Sequence, residues 1–469
     1  MKICVLQPDY STTDVDYKNY DPVRNLSQWL PEHEVDYVLL NKLTTYKQLQ
    51  ALRRKGYDVF VNLCEAYLEW EIPSVDAIQS LELLNLPYTG ATLSLYDPPK
   101  PLMKYVAYCA GVATPKHVVV TTLAELNVTH LTFPLFVKPA KAGDSLGIDV
   151  HSKCTNVEQV QNKVNELLEQ YDEVLIEEYI AGREFTVLVA ADATTANGCY
   201  AYNPVEYNFD EHVHFKTYDH KTKDLHPDRN VPVADAELNK RLRNAAAAVF
   251  AMFEGKGYAR MDFRMDENGM LYFLEVNFAC SVFYTNGYEG SADYILLNTP
   301  NGHADFLQRI IADGITRHAQ KQKLYNIRGN ATDGYGIYAT RTISKGTIIF
   351  AGEEHMHRLV TRTHVEQHWN EQRKLDFARY AVPLSTDVYI MWDTEPTTWA
   401  PQNHSCAANT GYSGLQVIAL RDIPAGEELT LDYQTIINDT MHSFECKCGA
   451  PQCRGVITGK AGTTLTQQG

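Results

Sequence analysis

Two carboxylates and an amide, Asp262, Glu275 and Asn277, stand at spacings that could hold metal-bound phosphate, in the stretch ARMDFRMDENGMLYFLEVN that begins at Ala259. Asn268-Gly269 lies between two runs of alternating polar and apolar residues, the pattern of a hairpin closed by a two-residue turn. With Glu267 paired to Met270 across that turn, counting back puts Asp262 opposite Glu275 and Arg260 opposite Asn277, all on one face. The other face then carries Met261, Phe263, Met265, Met270, Tyr272, Leu274 and Val276 as core. Directly opposed carboxylates repel, so this pairing is unfavourable unless a cation sits between them. A hard divalent ion such as magnesium takes one or two carboxylates and completes its shell with phosphate oxygens, which makes this face a nucleotide-metal platform. The plain alternative is an amphipathic hairpin with its polar face in water.

A second set of ligands lies near the end of the chain. Cys446, Cys448 and Cys453 follow the spacing C-x-C-x4-C, which reads as zinc thiolates. Zinc takes four ligands, and Cys406, the only other cysteine in this region, supplies the fourth. The remaining six of the ten cysteines lie singly and read as reduced thiols, the usage of an intracellular protein.

The elements that must position these groups follow from the order of patterns along 469 residues, enough for about three domains. A net charge of -16 argues against a nucleic-acid backbone as partner, though not against a basic peptide. No apolar run reaches membrane-spanning length, and MKICVLQPDY reads as a first strand, not a signal peptide. Short buried strands at Lys2–Leu6, Val35–Leu40 and Asp58–Leu63 alternate with helices at Thr44–Lys55 and Val75–Leu84, which implies a parallel sheet. Its third strand delivers Asn62-Leu63-Cys64-Glu65 to the carboxyl end, where such sheets place ligand groups. PPKP at 98–101 breaks the chain before a helix that starts at Lys100. Lys138 ends a strand and feeds the small-residue loop 140–147 (AKAGDSLG), whose backbone N–H groups can approach phosphates. A helix over 304–320 closes this part, and Lys321-Gln322-Lys323 reads as a linker.

The ordered set VKP, small-residue loop, IEEYIAGREFTV, then RMDF and LEVN resembles the ATP-grasp fold, most closely its D-alanine–D-alanine ligase branch, over residues 1 to 318. The resemblance implies that Lys100 and Lys138 hold the ATP phosphates. Glu177 and the backbone at Ile180 would face the adenine, and Glu184 the ribose hydroxyls. Asp262, Glu275 and Asn277 would hold two magnesium ions, with Arg260 near a reacting acyl phosphate. Lys221 matches a mobile-loop lysine, within a segment whose histidines at 212, 214, 220 and 226 read as a polar lid. Where the family continues with a polar-Pro-Gly turn, this chain has Phe278-Ala279-Cys280-Ser281-Val282-Phe283-Tyr284, which points away from D-alanine toward a larger or more apolar acceptor, with Ser291 meeting a carboxylate.

Beyond residue 322 the pattern changes to short strands and close turns. Asp333-Gly334-Tyr335-Gly336, Asn403-His404-Ser405-Cys406, GEELTLDY ending at Tyr433, and the cysteine cluster together resemble a SET domain with its post-SET zinc segment, over 323 to 457. By that resemblance Gly334, Tyr335, Gly336, Asn403 and His404 bind S-adenosylmethionine, and Tyr433 sits at the methyl-transfer channel. Tyr389, Trp392 and Trp399 are candidate channel walls. Pro401-Gln402 and Ala407-Ala408 depart from the family without removing a ligand.

The expected fold class is therefore α/β (pre-ATP-grasp, 1–98, plus ATP-grasp, 99–320) followed by a mostly-β SET and post-SET domain, 323–457, with a disordered tail, 458–469. The expected function is a bifunctional enzyme, an ATP-dependent carboxylate–amine ligase joined to an S-adenosylmethionine-dependent lysine or amine N-methyltransferase. Its cofactors are ATP, Mg2+, S-adenosylmethionine and Zn2+. Its partners are a small-molecule carboxylate and amine, or a lysine-bearing protein or peptide, with no nucleic acid and no membrane, and with room for a homodimer. The expected location is cytoplasmic, or nuclear if the substrate is histone-like. The alternatives are a lysine methyltransferase whose first half only binds nucleotide or a partner, and a zinc-stabilised scaffold that senses nucleotide without turnover.

Overall fold

The computed structural model describes all residues except 14–20, 66–70, 144–145, 210–228, 285–286, 331–333, 351–356, 384, 393–401, 415, 438–442 and 460–469. Lys221, the four lid histidines, Trp399 and nearly all of the expected disordered tail lie outside the described residues. Contacts divide the chain into two compact units, Met1–Lys321 and Gln322–Gly469. No helix among the described residues is long and apolar enough to cross a membrane.

Among the described residues the first unit holds three sheets. Strands β1 (Lys2–Pro8), β2 (Glu34–Leu40) and β3 (Val59–Asn62) pair in parallel in the order β2-β1-β3. The near-continuous burial of β1 and β3 is what a covered parallel sheet demands. Helices α1 (Thr45–Leu52) and α2 (Val75–Leu83) pack against each other beside this sheet, and α3 (Lys100–Cys109) opens the next segment. A four-stranded antiparallel sheet follows, β4 (His117–Val120), β5 (Leu135–Pro139), β6 (Lys153–Cys154) and β7 (Val174–Glu178), in the order β4-β7-β5-β6 and covered by α4 (Val157–Leu168).

The third sheet carries the hairpin. It comprises β8 (Arg183–Ala191), β9 (Cys199–Ala201), β10 (Val205–Tyr207), β11 (Asn230–Pro232), β12 (Tyr258–Met265) and β13 (Leu271–Asn277), with β12 between β8 and β13. Helix α5 (Ala236–Met252) covers one face of this sheet, and α6 (Ser291–Leu297) and α7 (Gly302–Lys321) stand with the core of the first sheet.

The hairpin corrects the sequence reading in one respect and keeps it in another. The turn is not the expected two-residue one. Asp266 N–H donates to the Met270 carbonyl and Gly269 N–H to the Asp266 carbonyl, so three residues span the turn with Gly269 at φ +78°. The Asp266 carboxylate secures it by accepting from the N–H groups of Asn268 and Met270, at 3.0 and 2.8 Å. That shifts the pairing by one, to Phe263 opposite Phe273, until a bulge between Asp262 and Phe263 shifts it back. Asp262 therefore does face Glu275, and Arg260 faces Asn277. Between bulge and turn the core side of β13 is Leu271 and Phe273; Met270, Tyr272 and Leu274, expected as core, are half-buried or exposed.

The second unit is built of short strands. Tyr325–Asn330 pairs antiparallel with Gly334–Ala339, and Gln416–Ala419 lies between Ile348–Phe350 and Thr410–Ser413. Asn403–His404 pairs in parallel with Thr430–Leu431, which brings two distant motifs side by side. Ile337, Ala339, Val417, Ile423 and Leu429 lie in its main core.

Candidate active sites

In the first unit, a cleft with a cavity of about 70 Å³ gathers Glu65, Asp97, Lys100, Lys141, Arg260, Glu275 and Asn277, with the backbone of 140–143 along one side. They come from several elements, with Glu275 and Asn277 sharing β13. Lys100 begins α3, where it lies on the buried stripe with Met103, Lys104 and Ala107. Its ammonium donates to the Ala142 carbonyl of the small-residue loop and stands 3.8 Å from the Glu275 carboxylate. Asp262 is held on β12 by the Thr186 hydroxyl at 2.8 Å, across the strand pair with β8, and lies 3.9 Å from Arg260. The Asn277 amide oxygen accepts from the Ala279 N–H at 2.8 Å, which fixes the chain as it leaves β13.

The other sequence-expected nucleotide residues form a buried cluster. Glu177 on β7 is diagonal to Lys138 on β5, a reach long side chains bridge. Its two oxygens meet Lys138 at 2.6 Å and Lys104 at 2.5 Å. Burial alone would raise the Glu177 carboxyl, but the two ammonium groups outweigh it and hold it down to about 2. Thus Glu177 contacts Lys138, expected at the phosphates, and Lys104, which was absent from the sequence-based site. The signal existed: a charged residue in the apolar stripe of an amphipathic helix needs a buried partner. Glu184 is buried on β8 with Arg264 3.9 Å away. Arg264 also donates to the Gly182 carbonyl at 3.0 Å. At Gly182 (φ +130°) a Cβ would come within 2.1 Å of the Met265 carbonyl oxygen, so glycine alone fits beside Ile180 and Arg183.

The segment after Asn277 behaves differently from expectation. Phe278, Cys280, Val282 and Phe283 are all buried in the cores of the unit, and from that segment only Ala279 lines the cleft. Apolar residues here extend the core, so the inferred apolar acceptor loses its basis. Ser291 starts α6 and is half-buried.

What borders the cleft on that side is polar. Glu65, just beyond β3, lies 3.4 Å from Arg24, whose fully buried guanidinium also faces Asp21 at 3.4 Å. Arg24 is further pinned by the Leu63 and Val282 carbonyls, at 2.8 and 3.1 Å. One guanidinium serves two carboxylates, and burial pushes the Glu65 carboxyl up from 4.5 to about 8. Between those values the folded protein keeps a proton that the unfolded chain has lost, so stability falls as pH rises through this window. Glu65→Gln is expected to flatten that slope, read as urea midpoints at about pH 5 and about pH 8. An unchanged slope would place the proton on another group.

In the second unit, the parallel pairing of Asn403–His404 with Thr430–Leu431 assembles the expected residues. The Asn403 amide donates to Glu428 at 2.7 Å and to the Tyr335 carbonyl at 3.2 Å. Gly336 lies beneath, where a Cβ would stand 2.2 Å from the Glu428 carboxylate. Gly334 and Tyr335 are exposed. His404 Nδ1 accepts from the Tyr433 N–H at 3.1 Å, which leaves the Nε2 proton directed at Cys406 Sγ, 3.4 Å away. The Tyr433 hydroxyl donates to the Gln402 carbonyl. Tyr389 is fully buried and takes a hydrogen bond from Arg362 at 2.7 Å, so it is core and not a channel wall.

The sulfurs of Cys406, Cys446, Cys448 and Cys453 all lie within 4.8 Å of one another, with 3.8 Å between Cys406 and Cys446. A tetrahedron of sulfurs about 2.3 Å from zinc has edges of about 3.8 Å, so the donor set and spacing fit that ion. Backbone N–H groups of Cys406 and Ala450 oppose burial and hold the Cys448 thiol down to about 6.

Compared with known families, residues 107–282 match the profile described as D-ala D-ala ligase C-terminus, and residues 334–434 match that of the SET domain. A D-alanine–D-alanine ligase from Geobacillus thermodenitrificans is 29% identical over 259 residues, covering 52% of this chain and 67% of that protein. One from Bacillus pumilus is 30% identical over 259 residues, covering 52% and 68%. A solved D-alanine–D-alanine ligase from Bacillus anthracis, complexed with ATP, aligns with 69% of this chain and 99% of that one at 19% identity and a TM-score of 0.46.

Proposed function

The chain belongs to the D-alanine–D-alanine ligase family of ATP-grasp enzymes and carries a SET domain after it, and from that premise we propose a bifunctional enzyme. Its first half joins a small-molecule carboxylate to an amine through an acyl phosphate at the expense of ATP, and its second transfers a methyl group from S-adenosylmethionine to a lysine or other amine. The observation that supports the ligase reading is the opposition of Asp262 and Glu275 across the strand pair, with Glu275 lining a cleft together with Lys100 and Arg260.

Asp262, Glu275 and Asn277 would hold magnesium, which would supply positive charge against the phosphate groups. Lys100 and Lys138 orient the nucleotide phosphates, with the backbone of 140–143 as a cradle. Glu177 and the backbone at Ile180 serve the adenine and Glu184 the ribose, while Lys221, outside the described residues, keeps only the loop-lysine role that the family resemblance implies. Arg260 stands across from Asn277 and stabilises negative charge on the acyl phosphate. The attacking carboxylate and the amine are thereby brought in line, and most of the rate enhancement is positioning.

In the second half, S-adenosylmethionine supplies an electrophilic methyl. Gly334, Tyr335, Gly336, Asn403 and His404 form its cradle, and the Tyr433 hydroxyl with nearby carbonyls aligns the neutral amine. The four cysteines would hold zinc, which would tie the segment carrying Cys446, Cys448 and Cys453 to Cys406.

Incubating the full chain with ATP, methyl-labelled S-adenosylmethionine and a metabolite extract, followed by mass spectrometry, tests the proposal. A new amide that requires ATP and a product that gains the label are expected. Methylation of a lysine peptide without any ATP turnover would sink the ligase half and favour a methyltransferase with a binding module. Tyr433→Phe is expected to lower methyl transfer on the order of a hundredfold while S-adenosylmethionine still binds. Unaltered transfer would remove Tyr433 from the channel.

A further inference from the structure

Lys104 is a buried cation that no step above uses. It lies one turn beyond Lys100 on α3, and its side chain is 0% exposed, so it cannot touch a ligand in the cleft. Its ammonium is 2.5 Å from one Glu177 oxygen, while Lys138 is 2.6 Å from the other. Two ammonium groups thus share one carboxylate. Lys138 stands at the end of β5, directly before the phosphate-type loop, and the carboxylate beside it competes with phosphate for its charge. If Lys138 turned to a phosphate and Glu177 had no second partner, a buried carboxylate would be left uncompensated, one of the costlier states in a protein interior.

We propose that Lys104 is a positioning residue for the nucleotide site: it retains Glu177 permanently, so that Lys138 can be released to the phosphates of ATP. The inference rests on the ligase reading. It also accounts for a lysine in a fully enclosed position of an amphipathic helix, where an apolar residue of similar volume would ordinarily stand.

The test is calorimetric binding of magnesium and a non-hydrolysable ATP analogue to the full chain and four variants. Lys104→Met is expected to weaken the analogue about tenfold or more, because Glu177 then keeps Lys138 for itself. Lys104→Arg is expected to stay within about threefold of the unaltered protein, since the charge remains. Once the carboxylate is neutral, Lys104 has nothing to retain, so Glu177→Gln and the double variant Lys104→Met/Glu177→Gln should bind alike, within about twofold. That last comparison stands even if Lys104→Met alone does not fold. Tight binding by Lys104→Met, or a double variant about tenfold weaker than Glu177→Gln, would overturn the role assigned to Lys104. An unaltered chain that fails to bind the analogue would instead overturn the ligase reading, and this inference with it.

Discussion

Replacing Glu275 by alanine is expected to lower ATP-dependent phosphate release on the order of a thousandfold. The reason is local. Glu275 shares its face with Asp262 directly across the strand pair and stands 3.8 Å from the Lys100 ammonium. Removing it leaves the platform with one carboxylate and one amide, too few to hold ions between protein and phosphates. The effect should fall on catalysis and not on folding, because the Glu275 side chain is 29% exposed and sits at the edge strand β13. A melting temperature close to that of the unaltered protein, together with the lost phosphate release, is the expected pair of results. Asp262→Ala makes the contrast, for Asp262 also satisfies the Thr186 hydroxyl at 2.8 Å and its loss should cost stability as well. Full phosphate release in Glu275→Ala would end the ligase assignment.

The second large effect concerns the cysteine cluster. Cys446→Ser, or a strong chelator, is expected to abolish methyl transfer and to loosen the strands Phe444–Glu445 and Val456–Ile457 that the cluster ties together. Small metal-tied segments derive much of their folding free energy from the ion, on the order of 10 kcal/mol for structural zinc sites, and these two strands of two residues each bury little of their own. Metal analysis of the purified chain should find about one zinc per molecule and little in Cys446→Ser. Proteolysis near residues 444–457 should speed up in parallel. Zinc-free protein with intact methyl transfer would show that the thiols are bystanders.

The hairpin shows how a local misreading can leave a site intact. Asn268-Gly269 suggested a two-residue turn, but the Asp266 carboxylate binds the N–H groups of Asn268 and Met270 and makes a three-residue one. A bulge beside Asp262 then restores the count, so the opposition of Asp262 and Glu275 came out right by two compensating shifts. Neither shift is visible in periodicity. The bulge arises where β12 is also paired to β8, a partner about 75 residues upstream, and it depends on contacts that no local pattern encodes.

Residue types and their order were enough to identify both families, the opposed carboxylate pair and the clustered thiols, because metal-type ligand sets accept few alternatives in side chain or spacing. Tertiary structure alone decided which charges meet. It drew Lys104 to Glu177, placed Arg24 between Glu65 and Asp21, and turned Phe278, Val282 and Phe283 inward, where the sequence had suggested an apolar binding wall. The physical reason is that a side chain's charge or hydrophobicity states what it requires, a partner or burial, while only the packed fold determines from which distant element that requirement is met.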